Sequence, residues 1–325
     1  MAEKTFLQAI RDAQYEEMKR DKGVFVMGED VECNMFGTTT GMIQDFGKER
    51  VRDTPIAEAG MAGVAAGAAM VGMRPIVDFT IAPFLYPAMD QIISIIAKSR
   101  FLYGGQAKVP VVLRANMIYG NGNAAQHSDR PYSMFMHMPG LKIMVPSSAY
   151  DMKGLMKSAI RDDNPTLFLE HKALYRRIKE HVSEDPAALV PISSAAVKRP
   201  GDDVTIVTYG AMVHKALEAA DTLAGRGISA EVVDLRTVYP IDEETVIRSI
   251  EKTSRALVLY ESFHFLGIGA EVASVIAEKA FEHLDAPVMR LAPPNHPVPF
   301  SPPLEDAFLP QVADIEAAVD RLSAW

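Results

Sequence analysis

Apolar and polar positions along this chain switch repeatedly between a helical and a strand rhythm. Phe6 to Lys19 places Phe6, Ile10 and Met18 at helical spacing with charges between them, and Val24 to Met27 follows as a short apolar run that predicts a buried strand. A loop rich in Gly and Thr covers Gly37 to Gly41. Ala59 to Met70 predicts a helix and Arg74 to Phe79 a strand. Pro87 to Phe101 predicts a second apolar helix, opened by a proline in the tolerated first turn. Strands are expected at Val109 to Leu113, Lys142 to Val145 and Thr166 to Leu169, with a helix at Ala149 to Arg161. From about Ile178 to Asp203 the rhythm is lost and Glu, Pro, Ser, Lys and Gly dominate, which marks a linker over 186–202. The alternation then resumes. Strands are expected at Val204 to Thr208, Ala230 to Leu235, Ala256 to Tyr260 and Val288 to Leu291. Helices are expected at Met212 to Ala224, Glu243 to Lys252, Gly269 to Glu282 and Val312 to Leu322. Repeated strand–helix units imply mainly parallel sheets covered on both faces. The expected fold class is therefore α/β with two doubly wound domains, 1–185 and 203–325, joined by the linker.

Composition narrows the function classes. The 325 residues are 48% hydrophobic and 23% charged, enough apolar side chain to bury substantial cores. A net charge of −9 argues against general nucleic-acid binding. Cys33 is the one cysteine, so no intrachain disulfide forms and the chain suits a reducing compartment. The start, Met1-Ala2-Glu3-Lys4-Thr5, has no apolar signal core, and the small apolar run Ala59 to Val71 is too short to span a bilayer. A bacterial-type cytoplasmic protein is expected; a mitochondrial one with its transit peptide removed reads the same way.

The chemistry concentrates in Arg52 to Ala69. Glu58 is a single acid opening a helix that is otherwise small and apolar. By itself it reads as a helix-start acid, favoured there by the backbone dipole. Gly60, Gly63 and Gly67 change that weighting. They form a face without bulk, at a cost of about 0.5–1 kcal/mol of helix propensity each. Something must approach the backbone closely: a cofactor, a partner helix or the chain's own sheet. Other features read as structural. His137, His171 and His214 lack metal-ligand spacing, as do the remaining histidines. Gly120-Asn121-Gly122-Asn123 has no P-loop lysine. Gly267-Ile268-Gly269 resembles an incomplete dinucleotide fingerprint and reads as a structural turn.

Asp53-Thr54-Pro55, Glu58, Gly60, Gly63, Ala65, Gly67-Ala68-Ala69, Gly72 and Arg74-Pro75 together resemble the signature of the β subunits of 2-oxo-acid dehydrogenase E1 components, those of the pyruvate, branched-chain and acetoin complexes. Met27-Gly28-Glu29-Asp30-Val31, Ala125-Gln126-His127-Ser128, Pro139-Gly140-Leu141-Lys142, Asp162-Asp163-Asn164-Pro165, Asp234-Leu235-Arg236-Thr237 and Pro299-Phe300-Ser301 match in the same order. Each motif is weak alone. Their order from about Thr5 to the C-terminus makes the resemblance specific. It implies an N-terminal pyrimidine-binding transketolase-like domain and a C-terminal transketolase-like domain.

The resemblance also implies roles. Glu58 faces N1′ of the aminopyrimidine of thiamine diphosphate, where a carboxyl proton favours the imino tautomer that activates the thiazolium. Ile56 and Phe84 line the same ring, although an aromatic in Pro83-Phe84-Leu85-Tyr86-Pro87 is by itself more often core. His127 faces the reacting carbon and can stabilise a developing oxyanion; alone, it reads as a capped loop histidine. Val111, Ala159, Ile160, Asp162 and Asn164 match a potassium site found in some relatives, and a plain helix-ending turn explains them equally well. The diphosphate and Mg2+ need a GDG motif followed by Asn. Gly28-Glu29-Asp30 and Gly201-Asp202-Asp203 do not fit it. Those groups are therefore expected on an E1 α subunit, in an α2β2 heterotetramer that serves a lipoyl-bearing E2.

Thr80-Ile81-Ala82-Pro83, Asn116 to Asn123 and Asp129-Arg130-Pro131-Tyr132 depart from the family pattern beside the substrate pocket. Glu170 to Tyr175 and Gly225-Arg226-Gly227-Ile228 look nearest to acetoin dehydrogenase β subunits. Two other readings stay open: a carboligase or split transketolase forming a C–C bond, and a non-catalytic assembly subunit. Glu58 and His127 together weigh against the last.

Overall fold

A computed structural model describes residues 1–119 and 122–325. They divide into two compact units. The first comprises Met1–Ile118 and Met134–Ile192; the second comprises Ser193–Trp325 and the described residues of Tyr119–Ser133. Among the described residues no helix is long and apolar enough to cross a membrane.

In the first unit the strands Lys142–Met144, Thr166–His171, Val112–Met117, Arg74–Ile81, Val24–Gly28 and Val51–Asp53 lie side by side in that order, all parallel. Central strands such as Val24–Gly28 and Val112–Met117 are buried along their whole length. This is the pattern of a sheet covered on both faces. The helix Phe6–Arg20 opens on a capping box in which Thr5 accepts from the Gln8 amide, and it packs on the helix Ala149–Arg161.

Two expectations need correction here. Pro87 to Phe101 is not one α-helix. A 3-10 turn spans Ala82–Ala88, a π-type turn spans Gln91–Ile96 with Ala97 N–H donating to Ile92 C=O at 2.9 Å, and a short α turn spans Ser99–Leu102. Pro87 lies inside the run and removes a donor, which favours these irregular turns over a continuous ladder. The strand expected at Val109 to Leu113 begins instead at Val112, because Pro110 carries no N–H for the sheet.

In the second unit the strands Met289–Leu291, Ala256–Leu259, Val204–Thr208 and Ala230–Asp234 are parallel neighbours, and Ala196–Arg199 adds an antiparallel edge. That edge strand falls within the stretch read as linker. It has only four residues and carries Lys198 and Arg199, a polar composition that suits a sheet edge. The helix Met212–Ala224 buries Met212, Val213, Ala216, Ala219, Ala220 and Leu223, a stripe at three- and four-residue spacing, against the core. Gly267 and Gly269 explain themselves sterically. A Cβ on Gly267 would lie 2.2 Å from the Phe263 carbonyl, and one on Gly269 would lie 2.0 Å from the Tyr260 ring. They admit the start of the Ile268–Lys279 helix onto Tyr260.

Candidate active site

Glu58 is the first residue of the helix Glu58–Met70, and Ala57 before it provides no side-chain cap. The helix buries Met61, Ala62, Ala65, Ala66 and Ala69. That face packs on the strand Arg74–Ile81 and on the turns Ala82–Ala88 and Gln91–Ile96. The opposite face is open. A Cβ on Gly63 or Gly67 would meet nothing within 4 Å, and one on Gly60 only Ala57 at 3.7 Å. Ile56 is 81% exposed and Val64 61%, and Val71 is also exposed. The glycines therefore make no room for the chain's own sheet. Glu58 itself is half-buried in the chain alone.

Phe84, also half-buried, is positioned by a break in its strand. Register slips between Asp78 and Ile81, where Thr80 takes φ 64°, a left-handed conformation rare for a β-branched residue. The Asp78 carboxylate accepts from the Thr80 amide at 2.9 Å, and Asn116 Nδ2 donates to the Thr80 carbonyl at 3.0 Å. The bulge turns the chain from the strand into the turn that bears Phe84. Asp78 is held in turn by Arg114, at 3.1 Å. Arg114 is fully buried and forks onto Glu170 at 2.6 and 2.8 Å. The Tyr175 hydroxyl donates to Glu170 at 2.6 Å and also to Asn116. Burial, together with the Glu170 charge, pushes the Tyr175 phenol well above its ordinary range.

Glu29 follows the strand Val24–Gly28. One of its oxygens is buried with no hydrogen-bond partner among the described residues. Burial pushes its carboxyl up, and the charges of Glu58, Asp30 and Asp78 push the same way. Glu29 is thus an electrostatic neighbour of Glu58.

His127 lies in the second unit, exposed at the end of the one-turn helix Ala124–His127. Gly120 and Asn121 of the preceding glycine-rich run lie outside the described residues. Beyond His127, Arg130 is buried. It donates to the Ser128 carbonyl at 2.7 Å and faces Glu261 at 3.4 Å. The Tyr132 hydroxyl donates to Glu261 at 2.6 Å.

At the turn matched to a potassium site, Arg74 Nη1 donates to the carbonyls of Ile160 and Asp162 at 2.9 and 3.0 Å. The Ala159 carbonyl accepts from the Asp162 amide, and the Val111 carbonyl from the Thr166 amide. Lys142 and Asn164 both donate to the Asp162 carboxylate and hold it below the usual carboxylate range against the opposing effect of burial. Among the described residues no group of three or more His, Cys, Asp or Glu is placed to hold a metal ion.

The transketolase pyrimidine-binding domain family matches residues 2–178, and the transketolase C-terminal domain family matches 193–315. The 2-oxoisovalerate dehydrogenase β subunit of Bacillus subtilis is 47% identical over 330 residues, covering the whole of both chains. This chain belongs to the E1 β subunits of the thiamine-diphosphate-dependent 2-oxo-acid dehydrogenases. The pyruvate dehydrogenase E1 β subunit of the same organism is 44% identical over 97% of each chain. Among solved structures, a split-gene transketolase described as an inactive β4 tetramer superposes with a TM-score of 0.80 at 26% identity, covering 98% of both chains.

The sequence singles out Glu58, Phe84 and His127 as candidates but not the network behind Phe84. One signal was available: Asp78, Arg114 and Glu170 are each a charged residue inside an otherwise apolar strand. A charge in a buried strand needs a partner. Three neighbouring strands supply one another's.

Proposed function

We propose that this E1 β chain supplies the pyrimidine side of the active site, with Glu58 and His127 catalytic and Ile56 and Phe84 flanking the ring. An E1 α subunit supplies the diphosphate and Mg2+ side in an α2β2 heterotetramer, which decarboxylates a 2-oxo acid and passes the acyl group to a lipoyl-bearing E2. The observation that carries this reading is the open glycine face of the helix that Glu58 begins. A helix that gives up propensity at three glycines while exposing Ile56, Val64 and Val71 is explained by a subunit lying along it. The same subunit would complete the burial of Glu58.

When bound, thiamine diphosphate supplies the electron sink for loss of carbon dioxide. The half-buried Glu58 carboxyl, the exposed Ile56 and the half-buried aromatic Phe84 would suit its pyrimidine half. Glu58 holds a proton for N1′ of that ring. Ile56 and Phe84 orient the ring and keep water from it. His127 offers its imidazole to the substrate oxygen as charge develops there. The lack of a GDG motif supports placing the diphosphate on the partner.

Combining the chain with its α subunit tests the reading. Decarboxylation of a 2-oxo acid and acylation of an added lipoyl domain are expected together. Carbon dioxide release with a C–C bonded product and no acyl-lipoyl would favour the carboligase alternative, and assembly without turnover a scaffold role. Gly63→Leu should leave the melting of the isolated chain unchanged or slightly raised. It should also weaken α–β association about 10- to 100-fold, the equivalent of overpacking by about 1–3 kcal/mol. Sedimentation at graded concentrations measures both partners.

Potassium belongs to the same reading. The carbonyls of Val111, Ala159, Ile160 and Asp162 each keep a second lone pair beyond the hydrogen bond they accept, and a hard cation takes oxygen ligands of this kind, with the side chain of Asn164 beside them. Potassium chloride at about 100 times its dissociation constant should stabilise the fold by about 2.7 kcal/mol relative to choline chloride. Equal melting temperatures in the two salts would remove the site.

A further inference from the structure

The segment that carries His127 contains buried donors for which the catalytic reading has no use. Arg130 is 6% exposed. Its Nη1 is spent on the carbonyl of Ser128, the residue next to His127, at 2.7 Å. Its Nε reaches Glu261 only at 3.4 Å, and Glu261 takes the shorter bond, 2.6 Å, from Tyr132. Its Nη2 is buried and has no partner among the described residues. The same is true of Asn123 Nδ2 and of the Ser128 hydroxyl. Buried donors in folded proteins are nearly always served, and an unserved charged donor is the most costly kind. Here three such donors flank one histidine within 123–130, all in the second unit.

An anion satisfies a guanidinium, an amide and a hydroxyl together. It is not the carboxylate that leaves as carbon dioxide. A guanidinium on that group would stabilise the ground state and oppose its loss as a neutral molecule. The remaining place for negative charge is the far end of the substrate. We infer that Arg130 is a specificity-determining residue: its Nη2, aided by Ser128 and Asn123, takes a terminal carboxylate, and the chain therefore acts on a 2-oxo acid with an anionic tail. The inference rests on the 2-oxo-acid reading above. A short aliphatic tail would leave Nη2 unserved in the complex, and sites built around such donors reject analogues that lack the matching group.

The assembled α–β enzyme, loaded with thiamine diphosphate and Mg2+, decides the matter in a decarboxylation assay with an artificial electron acceptor. 2-Oxoglutarate and 2-oxoadipate are compared with pyruvate and 2-oxoisovalerate. The dicarboxylates should lead in kcat/KM by about 100-fold or more, within the range a site loses when its donor is left unpaired. Arg130→Gln should collapse that ratio, chiefly through KM for the dicarboxylates. The wild-type ranking stands as a test even if the variant does not fold. Pyruvate or 2-oxoisovalerate ahead of both dicarboxylates overturns the inference and leaves the E1 reading intact, and an undiminished ratio in Arg130→Gln overturns the assignment to Arg130. No decarboxylation of any 2-oxo acid overturns the E1 reading, and this inference with it.

Discussion

Glu58→Gln in the assembled enzyme should lower kcat by about 10²–10⁴-fold, the contribution of one positioned proton-transfer group. The amide keeps the size and most of the polarity of the side chain but has no carboxyl proton to offer a ring nitrogen. Glu58 is the half-buried first residue of its helix, and the helix packs through Met61, Ala62, Ala65, Ala66 and Ala69, none of which is changed. The substitution should therefore leave the fold and α–β assembly intact, so the loss would be chemical. Turnover by the glutamine variant within tenfold of wild type, with cofactor binding unchanged, would remove Glu58 from the catalytic role.

The second large effect is structural. Glu170→Ala should destabilise the first unit by about 3–5 kcal/mol, because it leaves the fully buried Arg114 without its bidentate partner. Asp78 at 3.1 Å and Gln14 at 3.2 Å would remain, but neither forks onto the guanidinium. Replacing Arg114 and Glu170 together by methionine would still strand Asp78. Recovery is expected only when Asp78→Asn is added. The asparagine keeps a side-chain oxygen that can accept from the Thr80 amide, so the triple variant should melt near wild type and keep its turnover. Calorimetry resolves this, with the two units allowed separate transitions. A shift in the melting of Glu170→Ala of less than a degree or two would mean that the network is not what secures this face.

Much of the fold was legible because it rests on local periodicity. Helices such as Ala149–Arg161 and Met212–Ala224 start and stop where their patterns do, and the parallel strands appear as short apolar runs. Where local rules compete, the reading slipped. A proline at Pro87 was compatible with a helix start or with an irregular turn, and packing against neighbouring elements selected the turn. Lys198 and Arg199 read as linker because a polar edge strand and a polar loop have the same composition.

By itself the sequence determined that Glu58 is the single acid at the head of a largely small and apolar helix and that no diphosphate motif accompanies it, since both depend only on which residues are adjacent. Tertiary structure alone decided that the glycine face is open, because a glycine records permission for close approach without naming what approaches. It also decided that Asp78, Arg114 and Glu170 meet. Asp78 and Arg114 are register partners on adjacent strands, and Glu170 lies two residues beyond the partner of Arg114 on the next strand. Register between distant strands is set by sheet assembly, and no spacing along the chain encodes it.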